Sequence, residues 1–201
     1  MFTEVVPRSY ELGQRAQGQA ETRARIVGAA LALYAANGPA RTTISAIAES
    51  AGVQRLTVYR HFPDDRALYV ACWERWTAEH PLPDPAPWPG IEDPAERLRA
   101  ALLAFYAWFG ATEELMAHLE VDLPHLPMLA EIAAPLLRHR ASAQEILEHG
   151  WEARGERRER LHAVIGHALE FATWRSLARA PASALADECV AELMVRLARV
   201  V

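Results

Sequence analysis

Apolar residues return at spacings of three and four along almost the whole chain, and no stretch alternates apolar and polar positions over a strand's length. The pattern predicts an all-α protein. From Glu21 the run ETRARIVGAALALYAANG puts Ile26, Ala30, Leu33, Tyr34 and Asn37 on one side of a first helix. Asn37-Gly38-Pro39 ends it with a pair tolerant of left-handed backbone and then a proline. Thr43 is the expected N-cap of a short second helix, TISAIAESAG, with Ile44, Ile47 and Ala48 turned inward. Gly52 breaks that helix, and Gln54 to His61 form a third. Pro63 and two acids, Asp64 and Asp65, suit the first turn of a fourth, which runs to about Glu79.

Residues 81–90, PLPDPAPWPG, hold five prolines and a glycine and predict a stiff extended connection. Beyond it the pattern predicts five more helices, near 93–109, 112–121, 126–150, 156–179 and 183–200. That makes about nine in all, with Pro135 placed to kink or delay one of them. The organisation expected is a flexible N-terminal arm over residues 1–20, a three-helix head over 21–66, and a helical body over 67–201.

Composition adds little to this and excludes much. With 51% hydrophobic and 23% charged residues among 201, the chain reads as an ordinary globular protein. No apolar run reaches the roughly 18 residues of a spanning helix, and the N-terminus lacks the pattern of a secretion signal. Membrane association is therefore not expected and a cytoplasmic location is. Cys72 and Cys189 have neither metal-site nor redox spacing and read as small buried hydrophobes. The net charge of −5 is unevenly spread: residues 1–70 carry 8 Arg against 6 acids, whereas residues 71–201 carry 13 Arg against 20 acids. A mildly basic head on an acidic body would orient the protein on a polyanion.

The second and third helices have the spacing of a helix-turn-helix. One short helix braces another so that its N-terminal residues can reach base edges in the major groove. Here the brace is Ile44 to Ser50, the turn is Ala51-Gly52-Val53, and the reader begins at Gln54. Val53 and Val58 can anchor the reader, leaving Gln54, Arg55, Thr57 and Arg60 to bond bases or phosphates. The longer string is more specific. Thr42-Thr43-Ile44, Ile47-Ala48-Glu49-Ser50-Ala51-Gly52-Val53 and Thr57-Val58-Tyr59-Arg60-His61-Phe62-Pro63 together resemble the N-terminal domain of the TetR family of bacterial repressors. The resemblance covers residues 22–70; after residue 75 it is mainly one of architecture, apart from FATWRSLA (171–178), which resembles that family's dimer-interface helix.

The resemblance implies roles residue by residue. Thr43 would hold a phosphate at the brace's N-terminus and Ser45 would sit near the groove edge. Gln54, Arg55 and Thr57 would read bases, while Tyr59 and His61 would clamp the backbone. Two positions depart from the family. Asp65 stands where a phosphate-binding Lys is common, with Arg66 beside it as a substitute, and Leu56 replaces a small residue or proline, consistent with a thymine methyl contact.

In the body, the aromatic residues Trp73, Trp76, Phe105, Tyr106, Phe109, Trp151 and Phe171 are the candidates for a pocket that takes an apolar or aromatic effector. Leu161, Val164, Ile165, Gly166 and Ala168 on one late helix, with Val190, Leu193 and Leu197 on the last, are the candidates for a four-helix homodimer interface. His118, Glu120, Asp122 and His125 match no standard metal spacing, and nothing pairs a nucleophile with a base, so no metal, cofactor or catalysis is expected. The partners expected are double-stranded operator DNA, a small-molecule effector and a second copy of the chain. The competing reading is a small-molecule binding protein or enzyme with a vestigial DNA-binding head; within regulators, repressor and activator stay open.

Overall fold

The computed structural model describes residues 8–180 and 184–201, with side chains from residue 14 onward. Among these residues it is all-α, with nine helices and no strand: α1 (Arg8–Asn37), α2 (Ile44–Ser50), α3 (Arg55–His61), α4 (Asp65–Glu79), α5 (Pro94–Asp122), α6 (Pro127–Leu147), α7 (Glu156–Ala168), α8 (Phe171–Ala178) and α9 (Asp187–Val200). The chain divides into two compact units, residues 1–76 and 77–201, the division falling near the end of α4.

In the first unit α1 packs on α2, and α2 on α3. Ile26, Ala30 and Tyr34 of α1, Ile47 of α2, Val58 and Phe62 around α3, and Leu68 of α4 are all buried. Tyr34 stacks on Tyr69 with ring centroids 5.4 Å apart. Cys72 is buried here, and desolvation pushes its thiol up to about 12, so it stays protonated and unreactive. Helix α1 begins at Arg8 and not near Glu21. Residues 14–20 are all exposed, so no apolar stripe marks them. They are helical because Gln, Arg and Ala propagate a helix that the packed turns around Ile26 already nucleate. The expected arm is thus helical over residues 8–20, and residues 1–7 lie outside the described residues.

In the second unit α5 is the central helix, packed against α9, α8 and α6, with α7 also against α9. Asp93 caps it, accepting from the Ala95 amide at 2.8 Å, and Pro94 takes the first turn where its missing N–H costs nothing. The two helices expected over 93–109 and 112–121 are this one helix. Gly110 weakens it by about 1 kcal/mol relative to Ala but does not break it, because Phe109 and Thr112 on either side are buried and Thr112 Oγ1 donates to the Trp108 carbonyl at 2.8 Å.

The opposite correction applies to residues 156–179, which form two helices where one was expected. The chain turns extended at Glu170 (φ −88°, ψ 137°), with no proline or glycine to announce it. In one continuous helix Leu169 and Phe171 would point about 200° apart. The break lets both be buried beside the same cavity. The proline-rich connection is not a free spacer either. Trp88 within it is 4% exposed and packs on Phe105 at 6.0 Å, while Trp108 Nε1 donates to the His80 carbonyl at 3.2 Å.

Candidate DNA-binding face and effector cavity

The angle between α2 and α3 is set by backbone bonds at the turn. The Val53 amide donates to the Ala48 carbonyl at 2.9 Å and the Gly52 amide to the Glu49 carbonyl at 3.1 Å. This nested pair is a Schellman motif, which needs left-handed backbone at the residue after the helix cap. Gly52 supplies it with φ 64° and has open space around it, so only backbone strain excludes a side chain there. At the other end of α2, Thr43 Oγ1 accepts from the Ala46 amide at 3.2 Å, as an N-cap should. Thr43 and Ser45 are exposed at this end.

Helix α3 is anchored by one face. Val58 is fully buried, and Phe62 beyond the helix is 2% exposed with the Arg23 guanidinium 4.9 Å from its ring centroid. Gln54, Arg55, Leu56, Tyr59 and Arg60 are exposed, and Thr57 and His61 are half-buried on the flanks. Thr57, expected to face outward, is turned partly toward the core because it precedes Val58 on the side next to the anchor. It also takes a 3.5 Å bond from Arg60 Nη2. Arg55 Nη2 donates to the Tyr59 hydroxyl at 3.0 Å, and its guanidinium carbon lies 5.5 Å from that ring's centroid. Leu56, absent from the set of expected DNA contacts except as a possible methyl contact, is 67% exposed in the middle of this face. Helical phase alone would have placed it there, because it lies opposite Val58.

The departure at Asp65 has a local cause. Asp64 Oδ1 caps α4 by accepting from the Ala67 amide at 2.7 Å, and Asp65 follows in the first turn. Both carboxylates suit the positive end of the helix dipole. A Lys at position 65 would lose the favourable interaction of Asp65 with the helix dipole and leave the Asp64 cap in place.

The second unit contains an apolar cavity of about 180 Å³ lined by α5, α6 and the junction of α7 with α8. Of the seven aromatic candidates, Phe105, Phe109 and Phe171 line it. Phe109 meets Phe171 edge-on, with centroids 5.5 Å apart and planes at 79°. The other four do not line it. Tyr106 is fully buried and its hydroxyl donates to the Ala168 carbonyl at 3.1 Å, tying α5 to α7; burial raises its ionisation well above the ordinary tyrosine value. Trp73 and Trp76 pack on each other on α4 at 5.3 Å, and Trp151 donates Nε1 to the Leu147 carbonyl at 2.9 Å. The rest of the wall is mostly aliphatic, including Met116, Leu119, Leu136 and Leu169, with the charged Glu120, Arg140 and Glu170. Aliphatic wall residues are indistinguishable from core in a sequence, so aromatic content alone located less than half of this cavity.

The interface candidates separate into two groups. Leu161, Ile165, Ala168 and Val190 are at most 3% exposed within one chain, so they belong to its own core. Gly166 is half-buried, and a Cβ there would meet the Gln144 side chain at 3.0 Å, so its smallness serves packing of α7 on α6. Leu193 and Leu197 are exposed at 39% and 41%, joined by Val200 at 80%, and Val164 is half-buried. Cys189, expected to be buried, is exposed on the same helix. Among the described residues no group of three or more His, Cys, Asp or Glu could hold a metal ion, and no helix is long and apolar enough to cross a membrane.

Comparison with known proteins bears on both units. Residues 26–72 match the family model described as bacterial regulatory proteins, tetR family. The HTH-type transcriptional regulator AcrR of Shigella flexneri is 37% identical over 86 residues, spanning 41% of this chain and 39% of that protein's length. A TetR-like transcriptional regulator from Rhodococcus sp. RHA1 superposes with a TM-score of 0.65 at 21% identity, covering 89% of this chain and 93% of its own. The multidrug binding protein EbrR, complexed with imidazole, gives a TM-score of 0.52 at 21% identity over 88% of this chain and 89% of its own. At such identities the two structures speak to the fold alone. Residues 26–72 thus match the tetR family of bacterial regulatory proteins in sequence, and the chain shares its all-α fold with TetR-like transcriptional regulators.

Proposed function

We propose that the protein is a ligand-responsive transcriptional repressor that grips a near-palindromic operator as a homodimer and lets go when a small apolar or aromatic effector enters the body cavity. The observation that carries this reading is the face of α3. Arg55, Leu56, Tyr59 and Arg60 stand exposed on a helix fixed from behind by Val58 and Phe62. A recognition helix needs that combination of a rigid back and a front of base- and phosphate-bonding groups. Gln54, Arg55 and Thr57 are assigned to bases with Leu56 against a thymine methyl, and Thr43, Ser45, Tyr59 and His61 to the backbone. Arg60 adds a phosphate contact, and Arg66 stands in for the Lys that Asp65 replaces. The cytoplasm, where DNA is accessible, is the compartment this reading requires.

The effector acts by differential binding. A ligand that prefers a conformation unable to span two half-sites weakens DNA binding by the coupling energy with which DNA weakens the ligand. Phe105, Phe109 and Phe171 are the aromatic residues assigned to hold it.

Phosphate contacts release counterions, so specific binding should fall steeply with salt, by about 10³-fold or more between 50 and 200 mM if six or more phosphates are held. Fluorescence anisotropy across that range tests this, and salt-insensitive binding would remove the phosphate contacts. The interface is assigned to the exposed apolar row of α9. Replacing both Leu193 and Leu197 by Glu should yield a folded monomer in sedimentation; a variant that sediments as a dimer would move the interface elsewhere. Gly166 is left out of that test because its neighbour is Gln144 of the same chain.

A further inference from the structure

The geometry points to a cationic effector: an aromatic ring or a group of that size bearing a quaternary or protonated amine, its charge held by Glu120. This deepens the reading of the cavity as the effector site and rests on it.

Size sets the first limit. A dry cavity of about 150 Å³ accepts benzene, so the 180 Å³ here takes one ring with a short substituent. The walls set the second. Phe105, Phe109 and Phe171 line it, and the faces of aromatic rings carry a quadrupole that attracts cations. Phe171 already has the Arg175 guanidinium 5.9 Å from its centroid.

The charges decide the sign. Three ionisable side chains line the cavity: Glu120, Arg140 and Glu170. Arg140 pairs with Glu170 at 3.7 Å. Glu170 also lies 3.8 Å from His167 and directly precedes α8, whose positive end favours its carboxylate. Glu120 makes no salt bridge among the described residues and sits in the last turn of α5, where the negative helix end adds to its field. The arginines that share an open surface depression with it, Arg175 and Arg179, both pair with Glu113, at 3.8 and 2.9 Å. An entering anion would have to draw Arg140 off Glu170 while facing two carboxylates. An entering cation meets an exposed carboxylate that makes no salt bridge of its own among the described residues, beside three aromatic rings.

The test is titration calorimetry on the full chain without DNA, using three probes of similar size: benzyltrimethylammonium, the neutral 4-phenyl-2-butanone and the anionic 3-phenylpropionate. The ammonium ion should bind roughly tenfold more tightly than either of the others, the scale of a partly desolvated cation on aromatic faces beside a carboxylate. Glu120→Gln, a conservative change at an exposed position, should remove most of that advantage, lowering ammonium affinity far more than ketone affinity. Tightest binding by the carboxylate, or an ammonium preference that survives Glu120→Gln, would overturn the inference and leave the cavity as an effector site of other chemistry. Failure of all three probes to bind would overturn it together with the reading of the cavity as an effector site.

Discussion

Trp174→Ala should cost the body about 3–5 kcal/mol, the usual loss when a large buried aromatic is cut to a methyl group. Trp174 is fully buried, with Phe109 and Phe171 at 5.8 and 5.7 Å and the Arg179 guanidinium 4.7 Å from its centroid. Its Nε1 donates to Asp187 Oδ1 at 2.8 Å, which ties α8 to the first turn of α9. The truncation therefore opens a void behind the apolar cavity and also unties the helix assigned to the dimer interface. A chain of this length should lose roughly 10 °C in Tm. Trp174→Phe, which keeps one aromatic ring but loses the fused second ring and the hydrogen bond, should cost less than the alanine change, about 2–3 kcal/mol. Urea unfolding of the three proteins measures both, and an unchanged midpoint for Trp174→Ala would mean that this ring cluster is not the core of the body.

Arg55→Ala should weaken specific operator binding by about 1–3 kcal/mol while changing non-specific binding much less, if Arg55 reads a base. The side chain is exposed but not loose, because the Tyr59 hydroxyl and ring hold its guanidinium one turn along α3. Part of the ordering cost of a long side chain is thus met before DNA arrives. Tyr59→Phe should show a smaller loss in the same direction, since it removes the hydroxyl and keeps the ring. Competition between selected and scrambled duplexes separates the two kinds of binding. An operator preference unchanged in Arg55→Ala would remove Arg55 from the reading residues.

What the sequence showed and hid follows from where its signals arise. The head was legible because its geometry depends on local chemistry: the Thr43 cap, the left-handed Gly52 and the buried Val58 each act within a few residues of themselves. The start of α1 was not legible, because exposed turns that ride on a packed helix carry no apolar stripe. The break at Glu170 was hidden for a different reason. It is imposed by burying both Leu169 and Phe171 beside one cavity, a demand of tertiary packing with no local breaker. The same limit explains the interface. Helical phase finds the apolar stripe of α7, but only the packed structure reveals that Leu161 and Ile165 spend it inside their own chain.

The proposed function is tested most directly by selecting duplexes from a random library with the full chain and footprinting the recovered site. A homodimeric repressor should recover a near-palindrome whose half-site centres lie about 34 Å apart, or a whole multiple of a helical turn, with protection in successive major grooves. Recovery of no common sequence, or of a single unpaired half-site, would contradict that function.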